Sequence, residues 1–268
     1  MHDSPNRRDF ISTSLAAGVA ATALTSFAEA QNQDAGAREY YEIRKYTLRR
    51  GPMVQRIDGY MRDALIPAMQ RAGVGPVGVF NVLVGPDNPA LYLLMVHRSA
   101  DSVLSLGAKL ARDEEYHAVG KEFQSLPATD PPYVNLERSL LVAEPFMARL
   151  EEPPKGSRIF ELRIYRSHNR AANRKKAEMF SPVGGELNIF RRVGLTPVFF
   201  ADAIFGDDTP NLTYMLTYPD LATREKNWAA FVSDPEWKKL SATPGYTDPE
   251  IVASITNVLL RPAAYSQI

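Results

Sequence analysis

The sequence predicts an α+β fold: two tandem ferredoxin-like (βαββαβ) units packed sheet to sheet into one intramolecular α/β-barrel. Three observations carry that expectation. A Glu-x-Arg-x-Tyr alternation is spelled twice, in "YEIRKY" (Tyr41 to Tyr46) and, 119 positions later, in "FELRIY" (Phe160 to Tyr165). "RAGVGPV" (Arg71 to Val77) returns as "RVGLTPV" (Arg192 to Val198) at an offset of 121, and Gly85/Gly206, Pro89/Pro210 and Leu91/Leu212 keep that offset. The same order of strand and helix patterns follows in each copy.

The elements read in order. Each opening motif alternates apolar and polar residues, as a strand with two unlike faces does. A helix follows from about Pro52, with Ile57, Tyr60, Met61, Ala64, Leu65, Ala68 and Ala72 on one face and Pro67 dividing it. In the second copy Pro182 and Gly184-Gly185 make that division. Two hairpins come next: "VGVFNVLV" and "LYLLMV" flank "GPDNPA", and "VFFADAIF" and "LTYMLTY" flank "GDDTPN". Ser99 or Asp101 caps a helix carrying Val103, Leu104, Leu110, Tyr116 and Val119, whose counterpart holds Trp228, Phe231, Trp237 and Leu240. Strands near Asn135–Ala143 and Val252–Leu260 close the units, and the charged, Pro- and Gly-containing "EEPPKGS" (Glu151 to Ser157) links them. The domains expected are residues 38–150 and 156–268.

Composition narrows the function classes. The chain has 268 residues, 45% hydrophobic and 23% charged, with 31 basic against 31 acidic residues. That balance offers no basic surface for nucleic acid. With no cysteine there are no disulfides, thiolate metal sites or Cys nucleophile. Residues 1–30 read as a Tat-type export signal: Arg7-Arg8, a weakly apolar stretch rich in Ala, Ser and Thr, then the A-x-A site Ala28-Glu29-Ala30. The expected location is periplasmic or extracellular. No later segment reaches the roughly 18 apolar residues of a membrane helix.

The polar strand faces supply the candidate site. Tyr41, Ile43, Phe160, Leu162 and Ile164 are expected under the helices. Glu42, Arg44, Tyr46, Glu161, Arg163 and Tyr165 then point between the sheets, joined by the aligned pairs Asn81/Asp202 and His97/Tyr218. Such an interior can bind a small polar or amphipathic molecule, or move a proton through His97 and a buried Glu. The competing reading is an ion-pair ladder between sheets. Asp113 and His117 stand four apart on a helix but have no third ligand in sequence, and a zinc site is unsupported. Trp228, Phe231 and Trp237 are expected to pack their helix on its sheet. No Walker loop, GxGxxG or GxSxG is present.

"YYEIRKYTLRRGPMVQRI" and the closer "FELRIY" resemble the opening strand of a NIPSNAP domain, and "SDPEWKKL" (Ser233 to Leu240) resembles that family's Asp-Pro-x-Trp helix end; "RDEEYHAV" is a degenerate copy. The resemblance covers about residues 38–268 as two tandem domains. It implies the dimeric α/β-barrel superfamily, alongside antibiotic-biosynthesis monooxygenases and chlorite dismutases, whose ligands lie inside the barrel or between sheet and helices. It brings no catalytic residues and leaves the cofactor unknown, and His97 fits no obvious haem-ligating pattern. The eukaryotic members' mitochondrial, vesicular and mitophagy roles do not suit an exported chain. Three functions remain: a binder of a small organic molecule in the barrel; a cofactor-independent oxygenase, isomerase or lyase using His97, Tyr46, Tyr165 and the Glu-Arg pairs; or a structural, partner-binding protein with a filled barrel. Two units in one chain can complete the barrel without a homo-oligomer.

Overall fold

The computed structural model describes residues 38–156 and 158–268. The leader expected over residues 1–30 lies outside them. Eight antiparallel strands close into a barrel: β1 (Tyr40–Thr47), β2 (Val77–Val84), β3 (Ala90–His97), β4 (Asn135–Ala143), β5 (Ile159–Arg166), β6 (Thr196–Phe205), β7 (Asn211–Tyr218) and β8 (Ser254–Pro262). Around the barrel they run β1-β3-β2-β8-β5-β7-β6-β4. Each unit is a four-stranded sheet in the ferredoxin-like order, β4-β1-β3-β2 and β8-β5-β7-β6. The sheets face each other, and their edges pair at β2–β8 and β4–β6, so the barrel has no free edge. Both seams carry a register shift, between Val82 and Val84 and between Leu140 and Leu141.

The helices of the first unit are α1 (Pro52–Tyr60), α2 (Ile66–Arg71), α3 (Ala100–Ala111) and α4 (Glu114–Gln124). Pro67 lacks the amide that would bond the preceding turn, and a π-helical turn over Met61–Leu65 joins α1 to α2 just before it. Ser99 caps α3 by accepting from the Ser102 amide. The second unit has α5 (Arg170–Phe180), α6 (Glu186–Arg192), α7 (Leu221–Ser233), α8 (Pro235–Ser241) and the short α9 (Asp248–Ile251). The expected break between α5 and α6 is there. At Gly184 an added Cβ would lie 2.3 Å from the Met179 carbonyl oxygen, and Gly185 is left-handed at φ 82°.

The lumen is filled from both sheets. Tyr41, Phe80, Phe160, Leu162, Phe199 and Leu260 meet there with smaller apolar side chains, and Ile268 inserts among them. Outside, α1 to α3 pack on β1 to β3 through Ile57, Met61, Leu65, Leu93 and Met95. Phe180, Phe190, Phe200, Tyr214 and Phe231 form the matching layer of the second unit. Trp228 and Trp237 pack against that layer as expected.

Candidate functional site

The strand faces are turned the opposite way from the sequence expectation. Tyr41, Phe160 and Leu162 lie in the lumen with Ile43 beside them, not under the helices. In the cross-strand register Tyr40, Glu42, Arg44 and Tyr46 oppose His97, Met95, Leu93 and Leu91, and this face packs against the helices. Glu161, Arg163 and Tyr165 likewise oppose Leu216, Tyr214 and Leu212. Inside the lumen the neighbours are apolar, and on that strand face Lys45 finds Asp87 and Glu137 only at the mouth. The helices offer Arg, Trp and Ser side chains, so the charges go there.

In the second unit Glu161 is 0% exposed and its carboxylate is saturated. Arg224 donates from Nη2 to Oε1 at 2.7 Å and from Nε to Oε2 at 2.8 Å. Arg163 donates to Oε1 at 3.0 Å, and the Trp228 indole and Tyr218 hydroxyl donate to Oε2 at 2.9 and 3.0 Å. Burial pushes the carboxyl up, but these guanidinium and indole donors outweigh it and hold Glu161 at about 2. Arg163 also donates to the Tyr165 hydroxyl at 2.8 Å, and its guanidinium lies 4.6 Å from the centre of the Trp228 ring. Tyr214, fully buried, donates to Tyr165 at 3.3 Å.

The first unit is less complete. Glu42 accepts on Oε1 from Arg44 Nε at 2.7 Å and from Arg138 Nε at 2.9 Å. His97 is fully buried; its Nδ1 is 3.0 Å from Ser102 Oγ, while its Nε2 lies 3.9 Å from Glu42 Oε2 without a hydrogen-bond partner. Burial lowers the imidazole's affinity for protons more than Glu42 raises it, which keeps His97 neutral near pH 7.

The remaining candidates stand apart. Asp202 accepts from Arg170 and from Asn173 on α5. Asn81 is half-buried in the middle of β2, opposite Leu91 and Arg261. So the ten predicted residues form two separate clusters, one per unit, plus two isolated positions, and none of the clusters lines the lumen. Asp113 caps α4 and pairs with Arg71. Among the described residues, no three His, Asp or Glu side chains converge as metal ligands.

Sequence reasoning missed several polar groups. Lys176 and Glu186 form a buried ion pair at 3.3 Å, with the ammonium 4.9 Å from the Phe180 ring and 5.1 Å from the Tyr165 ring. Burial pushes Glu186 up to about 7 even though Lys176 pulls it down. The internal repeat held the signal, because Ile57 and Leu65 occupy the aligned positions of the first unit and are equally buried. Arg224 and Trp228 align with Val103 and Gly107 and were visible the same way.

Of the open cavities among the described residues, one reaches into the mouth of the lumen and a larger one lies outside the apolar filling. A pocket of about 230 Å³ at the mouth has Ile43, Tyr92 and Leu162 on its floor and Lys45, Glu137 and Asp208 at its rim. A larger cleft of about 890 Å³ runs between the linker and the segment after β8. Leu83, Ile159 and Ile268 line it, with Lys155, Arg158 and Arg261 as its cations and Glu152 and Asp220 as its acids.

The NIPSNAP family model matches residues 41–132 and 160–267, one stretch in each unit. No curated protein matches the chain. Among solved structures, a candidate monooxygenase of Lactobacillus acidophilus is 11% identical at a TM-score of 0.55, covering 84% of this chain and 94% of that one. A candidate monooxygenase of Fusobacterium nucleatum is 8% identical at 0.55, covering 84% and 93%. An uncharacterised NIPSNAP-like domain protein of Burkholderia xenovorans is 23% identical at 0.37, covering 42% of this chain and 90% of its own. The two matches at 0.55 share the barrel fold.

Proposed function

Because the chain belongs to the NIPSNAP family through both of its units, we propose that it is an exported protein that binds a small amphipathic organic anion in the cleft at the end of the barrel. The cleft carries this reading. Its volume of about 890 Å³ is that of a small-molecule site, and it mixes apolar walls with a few charged groups. The lumen does not offer that room, since Tyr41, Phe80, Phe160 and Phe199 fill it.

The charge of the cleft favours an anion. Lys155 and Arg261 are exposed, and the buried Nε of Arg158 has no hydrogen-bond partner. Of the two acids, Asp220 is committed to the cap of α7, where it accepts from the Thr223 amide at 2.7 Å. A carboxylate head on these cations with its body against Leu83 and Ile159 uses both kinds of lining. Export rests on Arg7-Arg8 and Ala28-Glu29-Ala30. One chain closes the barrel, so no second copy is needed.

Calorimetric titration of the cleaved protein with octanoate, decanoate and 1-naphthoate tests the reading. Saturable binding of at least one acid is expected, weakened at least tenfold in a Lys155→Ser/Arg261→Ser variant and lost with the matching alcohol. Equal binding of acid and alcohol, or no binding of any of the acids, overturns it.

A further inference from the structure

Strand register gives residues of one unit counterparts in the other, and at the mouth of the barrel the counterparts differ in size and charge. In the first unit Lys45 on β1 opposes Tyr92 on β3 and Glu137 on β4. In the second, Ile164 on β5 opposes Thr213 on β7 and Thr256 on β8. All six line the pocket of about 230 Å³. Each member of the second set is smaller than its counterpart, so the second unit leaves open the space that the first fills. The opening has the volume of about eight waters, at the roughly 30 Å³ that each takes in the liquid.

The hairpin loops above the pocket carry a matching pair of acids. Asp87, between β2 and β3, and Asp208, between β6 and β7, stand 121 positions apart and share the left-handed backbone, at φ 56° and 58°. Asp87 accepts from the Lys45 ammonium at 2.6 Å, and Glu137 accepts from it at 3.3 Å. Ile164 holds the place of Lys45 below Asp208. The Asp208 carbonyl accepts from Asn211 Nδ2 at 3.2 Å, but its carboxylate pairs with no side chain among the described residues. The first unit therefore has an acid with its ammonium, and the second has the acid and an open space where the ammonium would be.

Tyr92 is an independent sign of a ligand. It is 7% exposed and stands on β3, across the barrel from β7. A buried tyrosine ordinarily bonds its hydroxyl to a partner. This one lines the pocket and bonds to no described residue. The charge of the lining sets the ligand's sign, since Glu137, Asp207 and Asp208 face only Lys45, which Asp87 and Glu137 already hold.

We propose that the mouth of the barrel binds a short-chain primary amine in its protonated form, with the ammonium seated on Asp208 as that of Lys45 is seated on Asp87. The hydrocarbon lies on Ile43, Leu162 and Ile164, and the Tyr92 hydroxyl faces it from the opposite wall. The mouth and the cleft share no lining residue, so this site stands without the anion site.

Calorimetric titration of the full chain with hexylamine, 1-hexanol and methylamine at pH 7 tests it. Hexanol keeps the tail without the charge, and methylamine keeps the charge without the tail. A site built on both takes hexylamine at least tenfold more tightly than either. Asp208→Asn, a residue that also accepts the left-handed backbone, weakens hexylamine at least tenfold. Ile164→Lys supplies the ammonium of the first unit at a half-buried position, and it abolishes binding while the circular dichroism stays that of the folded protein. No saturable binding of hexylamine, equal affinity for hexylamine and either control, or unchanged binding in Asp208→Asn or in folded Ile164→Lys overturns the proposal. If Ile164→Lys does not fold, Asp208→Asn and the two control ligands decide.

Discussion

Arg224 grips Glu161 by both of its oxygens, Nη2 2.7 Å from Oε1 and Nε 2.8 Å from Oε2, across the gap between α7 and β5. With the Trp228 indole on the same carboxylate, it ties this helix to the barrel. Removing one member of a buried pair leaves an uncompensated charge, which costs about 3–5 kcal/mol. Arg163 and Trp228 still serve Glu161 in its absence, so Arg224→Met is expected at the lower end, about 3 kcal/mol by urea denaturation. Arg163→Met is expected to cost a similar amount, and the double variant to be non-additive because both arginines share one carboxylate. Additive losses would mean that the two arginines act separately.

The same carboxylate makes stability depend on acid. Glu161 is held at about 2 in the folded protein against an ordinary 4.5. A depressed carboxyl contributes stability that is fully present above 4.5 and lost as the pH falls through 4.5 towards 2. That shift corresponds to at most about 3 kcal/mol. Denaturation midpoints measured from pH 6 to pH 2 should fall over that window, and Glu161→Gln should flatten the curve. An unchanged slope in the variant would assign the acid sensitivity to other groups.

Glu186 acts in the opposite sense. Its carboxyl is raised to about 7, so between 4.5 and 7 the folded state holds a proton that the unfolded state releases. Stability contributed by this group is present below 4.5 and declines as pH rises through 7. The first unit shows the apolar alternative, Ile57 and Leu65. Lys176→Ile/Glu186→Leu is therefore expected to match or exceed the parent by about 1–4 kcal/mol and to lose the slope, while either single change costs about 3–5 kcal/mol. Thermal melts at pH 5 and pH 8 separate these outcomes. A destabilised double variant would show that the ion pair is required by the second unit's packing.

Packing of the lumen is testable at Phe160, which meets Phe80 edge-on at 4.9 Å between ring centres. Phe160→Ala should cost about 3–5 kcal/mol, since a walled barrel relaxes little around a lost ring. A loss below about 1 kcal/mol would mean that the lumen is loosely filled and can admit a ligand after all.

How much could be read in advance varies with the kind of question. The two units, the order of their elements, the Ser99 cap and the division of the second helix at Pro182 and Gly184-Gly185 all follow from local chemistry and from the repeat. The polar network was legible as a motif but not as a site. Glu161 and Arg163 mark a special strand face, yet Arg224 and Trp228 lie more than 60 positions away and become its partners only when α7 packs on β5. Lys176 and Glu186 sit on the buried side of their helices, where an apolar rule passes over them.

By itself, then, the sequence determined the repeat, the βαββαβ order and which residues share a strand face. Alternation with a period of two sorts side chains into two sets and is silent on which set faces inward, because a sheet buried on both sides must fill both. Tertiary structure decided that. Closing the barrel surrounds one face with backbone on all sides and leaves it to Phe160 and Leu162, which need no partners, and to Tyr41, whose hydroxyl donates to Glu39 at 3.1 Å. The other face meets helices that carry donors, and the charged residues belong there because a buried carboxylate is stable only where hydrogen bonds reach it.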